Sequence, residues 1–231
     1  MTEYCNRLFH SLIDRGNGLA LSDLTCLNCE FHNCALSLTT AIQKRSVISN
    51  ARFQNCQISA SCIGPAILKN VEIDGLITDS LLILWGTVFD QVTFSGRIGK
   101  IKNNCHVHHV DISERTQRPF DEFRDKFYQN VEWALDISRA KFRLLEITGI
   151  PAHLIRRDPA TQMVVTRERA LAPAWRSRLR PANRLWPFAI DSFLATGEPD
   201  RVLVAPRTGP KHQVDKLLGE LQELRDLGVI E

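Results

Sequence analysis

A five-residue period, held from Ser46 to Ile73, constrains the possible folds of this chain more than any other feature. Every fifth position is large and apolar: Ile48, Phe53, Ile58, Ile63, Leu68 and Ile73. The position two before each is mostly small: Ser46, Ala51, Cys56, Ser61, Ala66 and Val71. A helix repeats every 3.6 residues, roughly, and a strand every two, so neither explains the pattern. Short units that bury their faces by stacking on one another are typical of solenoids.

Each unit is expected to form a short extended side followed by a corner, because residues spaced by two point the same way along an extended chain. The sequence resembles the pentapeptide-repeat family. The best matches are Asn50-Ala51-Arg52-Phe53-Gln54-Asn55 and Gly64-Pro65-Ala66-Ile67-Leu68-Lys69-Asn70. The resemblance covers about residues 19–112 and extends in weaker form to 133–149. It implies a right-handed, square β-helix with four units in each turn.

The predicted fold class is therefore mainly β: a right-handed pentapeptide-type β-helix solenoid with a C-terminal α+β region. Residues 1–18 are expected to cap the solenoid, 19–112 to form it, and 113–231 to form the C-terminal region. Within that region the spacing of apolar residues predicts helices over 119–131 and 213–227. Residues 133–149 fit a further coil slightly better than a helix. A β-hairpin is predicted over 154–166, and a basic segment over 167–187.

Composition excludes wholesale disorder, since 44% of the 231 residues are apolar and 24% are charged. The net charge of +3 does not by itself indicate a class of partner. No apolar run is long enough for a transmembrane helix, and the N-terminus lacks the pattern of a secretory signal. The period places five of the seven cysteines in the interior, which predicts reduced thiols and a cytoplasmic location. Cys26 takes a large position, and the small positions are taken by Cys29, Cys34, Cys56 and Cys105.

Arginine and tryptophan are concentrated in residues 156–186, and this stretch is the main candidate for contact with a partner. Between Arg156 and Arg184 there are eight arginines and two acidic residues. Such a segment suits a protein surface, where Arg and Trp are common anchors, or a nucleic acid. It also suits a solvated face that pairs with acids near the C-terminus. The predicted partner-binding residues are Trp85, Trp175, Arg176, Arg178 and Trp186.

A histidine cluster offers a weaker alternative. If Val107 faces inward on an extended segment, His106 and His108 share the outer face, as two metal ligands on a strand would. The sequence fixes no third ligand, so a polar outer face is favoured and no cofactor is predicted. The Cys26–Cys29 spacing is followed by no second pair of that kind, so it does not predict a zinc site. The sequence also contains no phosphate loop or nucleophile motif.

The favoured function is a non-enzymatic, cytoplasmic protein-binding scaffold. One form of it is an immunity-type protein that neutralises a bacterial toxin by occlusion. The alternatives are nucleic-acid binding through 156–186 and a metal-dependent enzyme with a site at His106 and His108. The family resemblance also implies mimicry of DNA, as in some members, but residues 19–112 carry seven acids and seven bases. A neutral rod does not imitate a polyanion.

Overall fold

The computed structural model describes residues 1–107 and 113–231. Within them, eleven strands form one sheet in which every neighbouring pair is parallel. These strands are β1 (Thr2–Cys5), β2 (Leu8–His10), β3 (Ala20–Leu27), β4 (Glu30–His32), β5 (Ala35–Leu36), β6 (Ser46–Ser59), β7 (Cys62–Ile63), β8 (Ala66–Trp85), β9 (Val88–Asn104), β10 (Leu135–Ile147) and β11 (Ile155–Arg156). The main order is β1-β3-β6-β8-β9-β10-β11, and β2, β4, β5 and β7 pair beside this path.

Helices and a second, two-stranded sheet complete the fold. The helices are α1 (Glu114–Tyr128), α2 (Arg167–Leu171), α3 (Leu185–Thr196) and α4 (Lys211–Asp226). Strands β12 (Gln162–Thr166) and β13 (Asp200–Val204) pair antiparallel. None of the helices in residues 1–107 and 113–231 has the length and apolar character needed to cross a membrane.

The predicted pentapeptide-type β-helix solenoid is wrong. The structure has a single large parallel sheet accompanied by helices, and within the described residues no closed solenoid is seen. A square coil of four five-residue units needs one constant pairing offset. Ser46 does pair with Ala66, but Ala20 pairs with Val47, and Val92 pairs with Leu135. The short helical turn at Ile42–Lys44 and helix α1 lie within the two longer connections, so the pairing offset is not constant.

The period of five nevertheless has a clear local consequence, because it determines which side chains face the core. The small positions Ala51, Cys56, Ala66 and Val71 are all almost fully buried. The backbone adopts positive φ at intervals within and between these strands, often at asparagine, which tolerates that conformation better than most residues: Asn28, Asn33, Asn50, Asn55 and Asn70. The Asn70 side-chain amide donates to Asn50 Oδ1 over 2.8 Å, which joins two of these bends on adjacent strands.

The C-terminal half differs from the prediction in its strand pairing. Residues 133–149, for which the sequence permits a strand or a helix, contain β10, which pairs with β9 and β11. The predicted hairpin over 154–166 is wrong, because β11 pairs with β10 whereas β12 pairs with β13. A turn around Asp158 separates the two strands: its carbonyl oxygen accepts from Gln162 N, and its carboxylate accepts from Ala160 N and Thr161 Oγ1.

Two apolar cores result. One lies under the parallel sheet, and the other lies between the β12–β13 pair and helices α2, α3 and α4. Hydrogen bonds hold the C-terminal layer against β10 and the loop after it. Gln162 Nε2 donates to Ile137 O over 2.9 Å, Arg207 N donates to Phe142 O over 2.8 Å, and Ala152 N donates to Asp200 Oδ1 over 2.9 Å. The surface of β10 and this layer therefore face one another.

Asp14 ties the N-terminal segment to the sheet. The side chain is 6% exposed, and both carboxylate oxygens accept hydrogen bonds. Oδ1 accepts from the backbone and side chain of Asn17, and Oδ2 accepts from Ser37 N over 3.0 Å and Ser46 Oγ over 2.6 Å. Burial raises the pKa of Asp14, but the hydrogen bonds from Ser46, Asn17 and Ser37 outweigh it. The pKa therefore lies below its ordinary value, and the carboxylate stays ionised.

Two glycines predict opposite effects of the same substitution. At Gly64 an added Cβ would meet the carbonyl oxygen of Ser37, which is backbone and cannot move aside. We expect Gly64→Ala to lower the free energy of unfolding by about 1–3 kcal/mol, as overpacking does. At Gly219, inside α4, the added carbon would meet no atom of the described chain within 4 Å apart from the adjoining residues and the backbone of its own helix, so Gly219→Ala should raise the free energy of unfolding by about 0.5–1 kcal/mol. Urea unfolding of both variants tests this pair, and equal effects would contradict it.

Candidate functional site

The two C-terminal tryptophans predicted as partner anchors lie inside the molecule. Trp175 and Trp186 are each 3% exposed and belong to the C-terminal core. Trp175 Nε1 donates to Ala170 O over 3.1 Å, and Trp186 Nε1 donates to Leu217 O over 3.0 Å. Both indoles are therefore satisfied internally, as buried tryptophans usually are. Stacking on a nucleic-acid base by either ring would require opening this core.

The predicted arginines are exposed, but much of the local positive charge is neutralised. Arg176 pairs with Asp191 over 2.5 Å, and its guanidinium lies 4.4 Å from the centre of the Trp175 ring. Arg178 is also exposed. Other arginines of the basic segment pair with acids from distant parts of the chain: Arg156 with Glu132, Arg169 with Glu231, and Arg180 with Glu223. These contacts favour the solvated, internally paired face among the alternatives left open by the sequence.

Trp85 is half-buried at the end of β8, where it pairs in register with Asn104 of β9. It belongs to the parallel sheet, whereas the other four predicted residues belong to the C-terminal layer. The five predicted partner-binding residues are thus divided between two parts of the fold.

The histidine hypothesis gains no support. The His106 side chain is exposed, and its backbone N–H donates to Asn104 Oδ1 over 3.1 Å. His108 lies outside the described residues. Across residues 1–107 and 113–231, no group of three or more His, Cys, Asp or Glu side chains is arranged to hold a metal ion.

A groove lies between the parallel sheet and the C-terminal helices. It encloses about 720 Å³. One wall comes from β9 and β10, the other from α3 and the start of α4, and β13 contributes at the base. This volume lies in the range of about 300–1,000 Å³ that is usual for ligand sites. The groove exists because the C-terminal layer is fixed against β10 by hydrogen bonds to the carbonyl oxygens of Phe142 and Ile137.

Three large apolar side chains stand exposed along this groove. Phe188 is 71% exposed, Leu185 is 46% exposed and Leu144 is 42% exposed. The exposure of Phe188 and Leu185 follows from helix α3, which is apolar on more than one face. Trp186, Ile190 and Phe193 form its buried side, which leaves Leu185 and Phe188 on the other. Several exposed apolar side chains grouped beside a groove are typical of a binding surface, whereas a single one is not.

A group of cations borders the same wall of the sheet. We call Arg97, Lys100, Arg139, Lys141 and Arg143 the basic strip. In the part of the chain that the structure describes, none of the five forms an ion pair. Lys100 and Arg143 line the groove itself. The other charged residues along the groove are engaged: Glu146 pairs with Lys102 over 2.9 Å, and Arg201 pairs with Glu198 over 2.6 Å.

Strand pairing places two members of the basic strip directly side by side. Arg97 of β9 and Lys141 of β10 are partners in the parallel register, and both are exposed. Like charges on facing positions of adjacent strands destabilise a sheet. The pair therefore concentrates positive charge on the exposed face of β9 and β10.

Sequence reasoning did not find the groove or the basic strip. A local signal was present, because Arg139, Lys141 and Arg143 alternate along the chain around the buried residues Ala140 and Phe142. The alternation shows only that one strand carries cations on its outer side. Their juxtaposition with Arg97 and Lys100 depends on the pairing of β9 with β10 across helix α1, which no local pattern encodes.

Comparisons with known proteins leave this site without a counterpart. No family model matches the chain, and neither the curated proteins nor the solved structures provide a match. The resemblance to pentapeptide-repeat proteins therefore stays a prediction from the sequence. The groove is identified as a candidate site by its geometry, its exposed apolar side chains and its charge.

Proposed function

We propose that this chain is a protein-binding protein whose groove takes an acidic segment of a partner with an apolar anchor residue. The observation that carries the proposal is the combination of exposed Phe188, Leu185 and Leu144 with cations that form no ion pair among the described residues. A partner side chain would pack on the apolar residues, and its acidic neighbours would meet Lys100 and Arg143. Buried apolar anchors supply most of the affinity in such interfaces, and complementary charge steers association.

The proposal moves the contact surface to α3 and the β9–β10 face. Of the five residues predicted from the sequence, Trp186 lines the groove and the other four do not. Neutralisation of a toxin by occlusion is one form of it, in which the acidic segment belongs to the toxin. A cytoplasmic setting is part of the same proposal. It is supported by the seven cysteines, all of which are described and all of which are free thiols.

Defined peptides test this binding mode directly, whatever the identity of the natural partner. The probe is a short acidic peptide with one central phenylalanine or leucine, labelled for fluorescence anisotropy. We expect it to bind at low ionic strength, and to bind at least tenfold more tightly than the same peptide with lysine in place of glutamate. Binding should weaken as salt is added, because exposed charges are screened.

Two matched pairs of variants locate the site. Phe188→Ala should weaken binding at least tenfold, whereas Leu171→Ala, which removes another exposed apolar side chain outside the groove, should not. The double variant Lys141→Glu, Arg143→Glu should weaken binding similarly. Arg115→Glu, Lys126→Glu makes the same change in net charge on the exposed side of α1 and should have little effect.

Three results would count against the proposal. The first is equal binding of the acidic and basic peptides. The second is an affinity that Phe188→Ala leaves unchanged. The third is tighter binding of a labelled oligonucleotide than of any peptide, lost in the Lys141 and Arg143 double variant, because that result would assign the basic strip to phosphate contacts.

A further inference from the structure

A second cavity, of about 530 Å³, lies inside the first core at the N-terminal end of the parallel sheet. Large apolar side chains from β4 to β8 line it. They occupy the interior positions of the five-residue pattern, yet they are only half-buried: Phe31, Leu36, Phe53, Ile58, Ile63 and Ile73. Further along the sheet the corresponding residues Leu84, Phe94 and Ile101 are fully buried. The lining of the cavity thus combines buried side chains with half-buried ones.

The mouth of the cavity is apolar as well. Leu12 is 56% exposed, and Ile13, Leu19 and Leu21 stand exposed beside it. Among the described residues of the lining the one charged group is Asp14, and both of its carboxylate oxygens already accept hydrogen bonds from Asn17, Ser37 and Ser46. No lysine or arginine of the described chain lines the cavity. A charged ligand that enters would therefore find no free group of opposite charge in this lining.

Water is a poor occupant for this space. A buried water needs about two to four polar partners, and apolar cavities of about 150 Å³ stay dry and take up benzene. The lining is mostly apolar, and its one serine hydroxyl in the described chain that is not part of the Asp14 network, Ser61 Oγ, donates to Ser59 O and accepts from Cys34 N. Voids much larger than a water molecule are rare in protein interiors, because the surrounding side chains lose their packing contacts.

We propose that the cavity binds an uncharged ligand with a hydrocarbon chain, which enters between Leu12 and Leu21 and packs against Phe31, Phe53 and Ile58. The apolar lining selects an apolar ligand, and the volume is more than three times that of a benzene-binding cavity of about 150 Å³. A carboxylate head group would lie near Asp14 without a compensating cation in the described lining. This site is separate from the groove, and its residues come from the first half of the chain.

Straight-chain alcohols are the probes for calorimetric titration of the whole chain. We expect octanol to bind and each added methylene to tighten binding about fourfold until the cavity is filled. The heat capacity change should be negative, since apolar surface is buried. Octanoate and octylammonium should bind at least tenfold more weakly than octanol. No saturable binding of any alcohol, or equal binding of the charged homologues, overturns the proposal.

Cys62 and Cys5 provide a matched pair of reporters for the location of the ligand. Cys62 lines the cavity, and burial raises the pKa of its thiol, whereas Cys5 is exposed outside it. Bound decanol should slow the alkylation of Cys62 by N-ethylmaleimide at least fivefold and leave that of Cys5 unchanged. The filling substitution Cys62→Phe should abolish decanol binding, and Cys5→Phe should preserve it.

A competing occupant is a second copy of the chain that covers the mouth. Sedimentation at several protein concentrations, with and without decanol, separates the two cases. A monomer whose Cys62 is protected by decanol alone supports the proposal. A dimer whose Cys62 is protected without any alcohol, and which decanol does not dissociate, overturns it. The labelling assay needs no substitution, so it distinguishes the two cases even if Cys62→Phe folds poorly.

Discussion

Replacement of Asp14 by alanine is expected to lower the free energy of unfolding by about 2–5 kcal/mol. The substitution leaves buried hydrogen-bond donors without an acceptor, and each such donor costs roughly 1–3 kcal/mol. Ser37 N and Ser46 Oγ both donate to this carboxylate, and both residues are fully buried. Ser46 Oγ also accepts from Leu19 N, and Ser37 Oγ donates to Pro65 O. The network therefore joins four segments of the chain, at residues 14–19, 37, 46 and 65. Urea unfolding followed by circular dichroism measures the loss.

Two other variants separate the causes of that loss. Asp14→Asn keeps the shape and one acceptor oxygen, so it should fall between the wild type and alanine. Asp215→Ala removes an exposed carboxylate from α4 and should change the free energy of unfolding by no more than about 0.5 kcal/mol. If Asp14→Ala were as mild as Asp215→Ala, the carboxylate would not hold the N-terminal segment in place.

The same carboxylate predicts a pH dependence. The pKa of Asp14 is lowered in the folded chain, so the unfolded chain binds the proton more readily. The stabilising contribution is therefore fully present above the unfolded pKa of about 3.9 and is lost as the pH falls through the lower, folded pKa. The difference in stability between wild type and Asp14→Ala should be constant from neutral pH down to about pH 5 and should narrow in stronger acid. A stability difference between wild type and Asp14→Ala that widened in acid would contradict a lowered pKa of Asp14.

Trp175→Ala is expected to cost about 3–5 kcal/mol of stability, the usual range for truncation of a buried aromatic. The indole lies in the C-terminal core with its N–H bonded to Ala170 O. Phe188→Ala is the matched control, because it removes an exposed aromatic from the same layer and should cost no more than about 0.5 kcal/mol. Chemical unfolding of both variants gives the two values.

The two substitutions should affect peptide binding in the opposite order to their effects on stability. Phe188→Ala should lose affinity while it stays folded, and Trp175→Ala should bind normally under conditions in which it is folded. If Trp175→Ala were stable but unable to bind, the indole would be a surface anchor, as the sequence suggests. That result would also require the C-terminal core to open when the partner binds.

The burial of the tryptophans illustrates what a local pattern leaves undecided. Arginines next to tryptophans are equally compatible with an interface and with the edge of a core. The choice here depends on β12, β13 and α4, which come together around Trp175 and Trp186 from segments far apart in the chain. Arg180 meets Glu223 and Arg169 meets Glu231 for the same reason. No spacing within residues 156–186 carries that information.

Sequence alone determined several buried positions of the first half, although Leu19 and Leu21 of the same pattern are exposed. A local period decides orientation, because successive residues of an extended segment alternate sides and asparagine permits the bends between units. The buried positions Ala51, Cys56, Ala66 and Val71 follow from it. The amphipathic pattern near the C-terminus likewise predicts a helix over 213–227, and α4 covers 211–226.

Only the tertiary structure decided how these segments pair. The offset that joins Ala20 to Val47, and the one that joins Val92 to Leu135 across α1, set the parallel sheet, the groove and the basic strip. They depend on hydrogen bonds between residues distant in sequence, whose formation is governed by the packing of the whole chain rather than by any local preference. The orientation of each side chain is a local property of the backbone, whereas the neighbour it meets is a property of the completed fold.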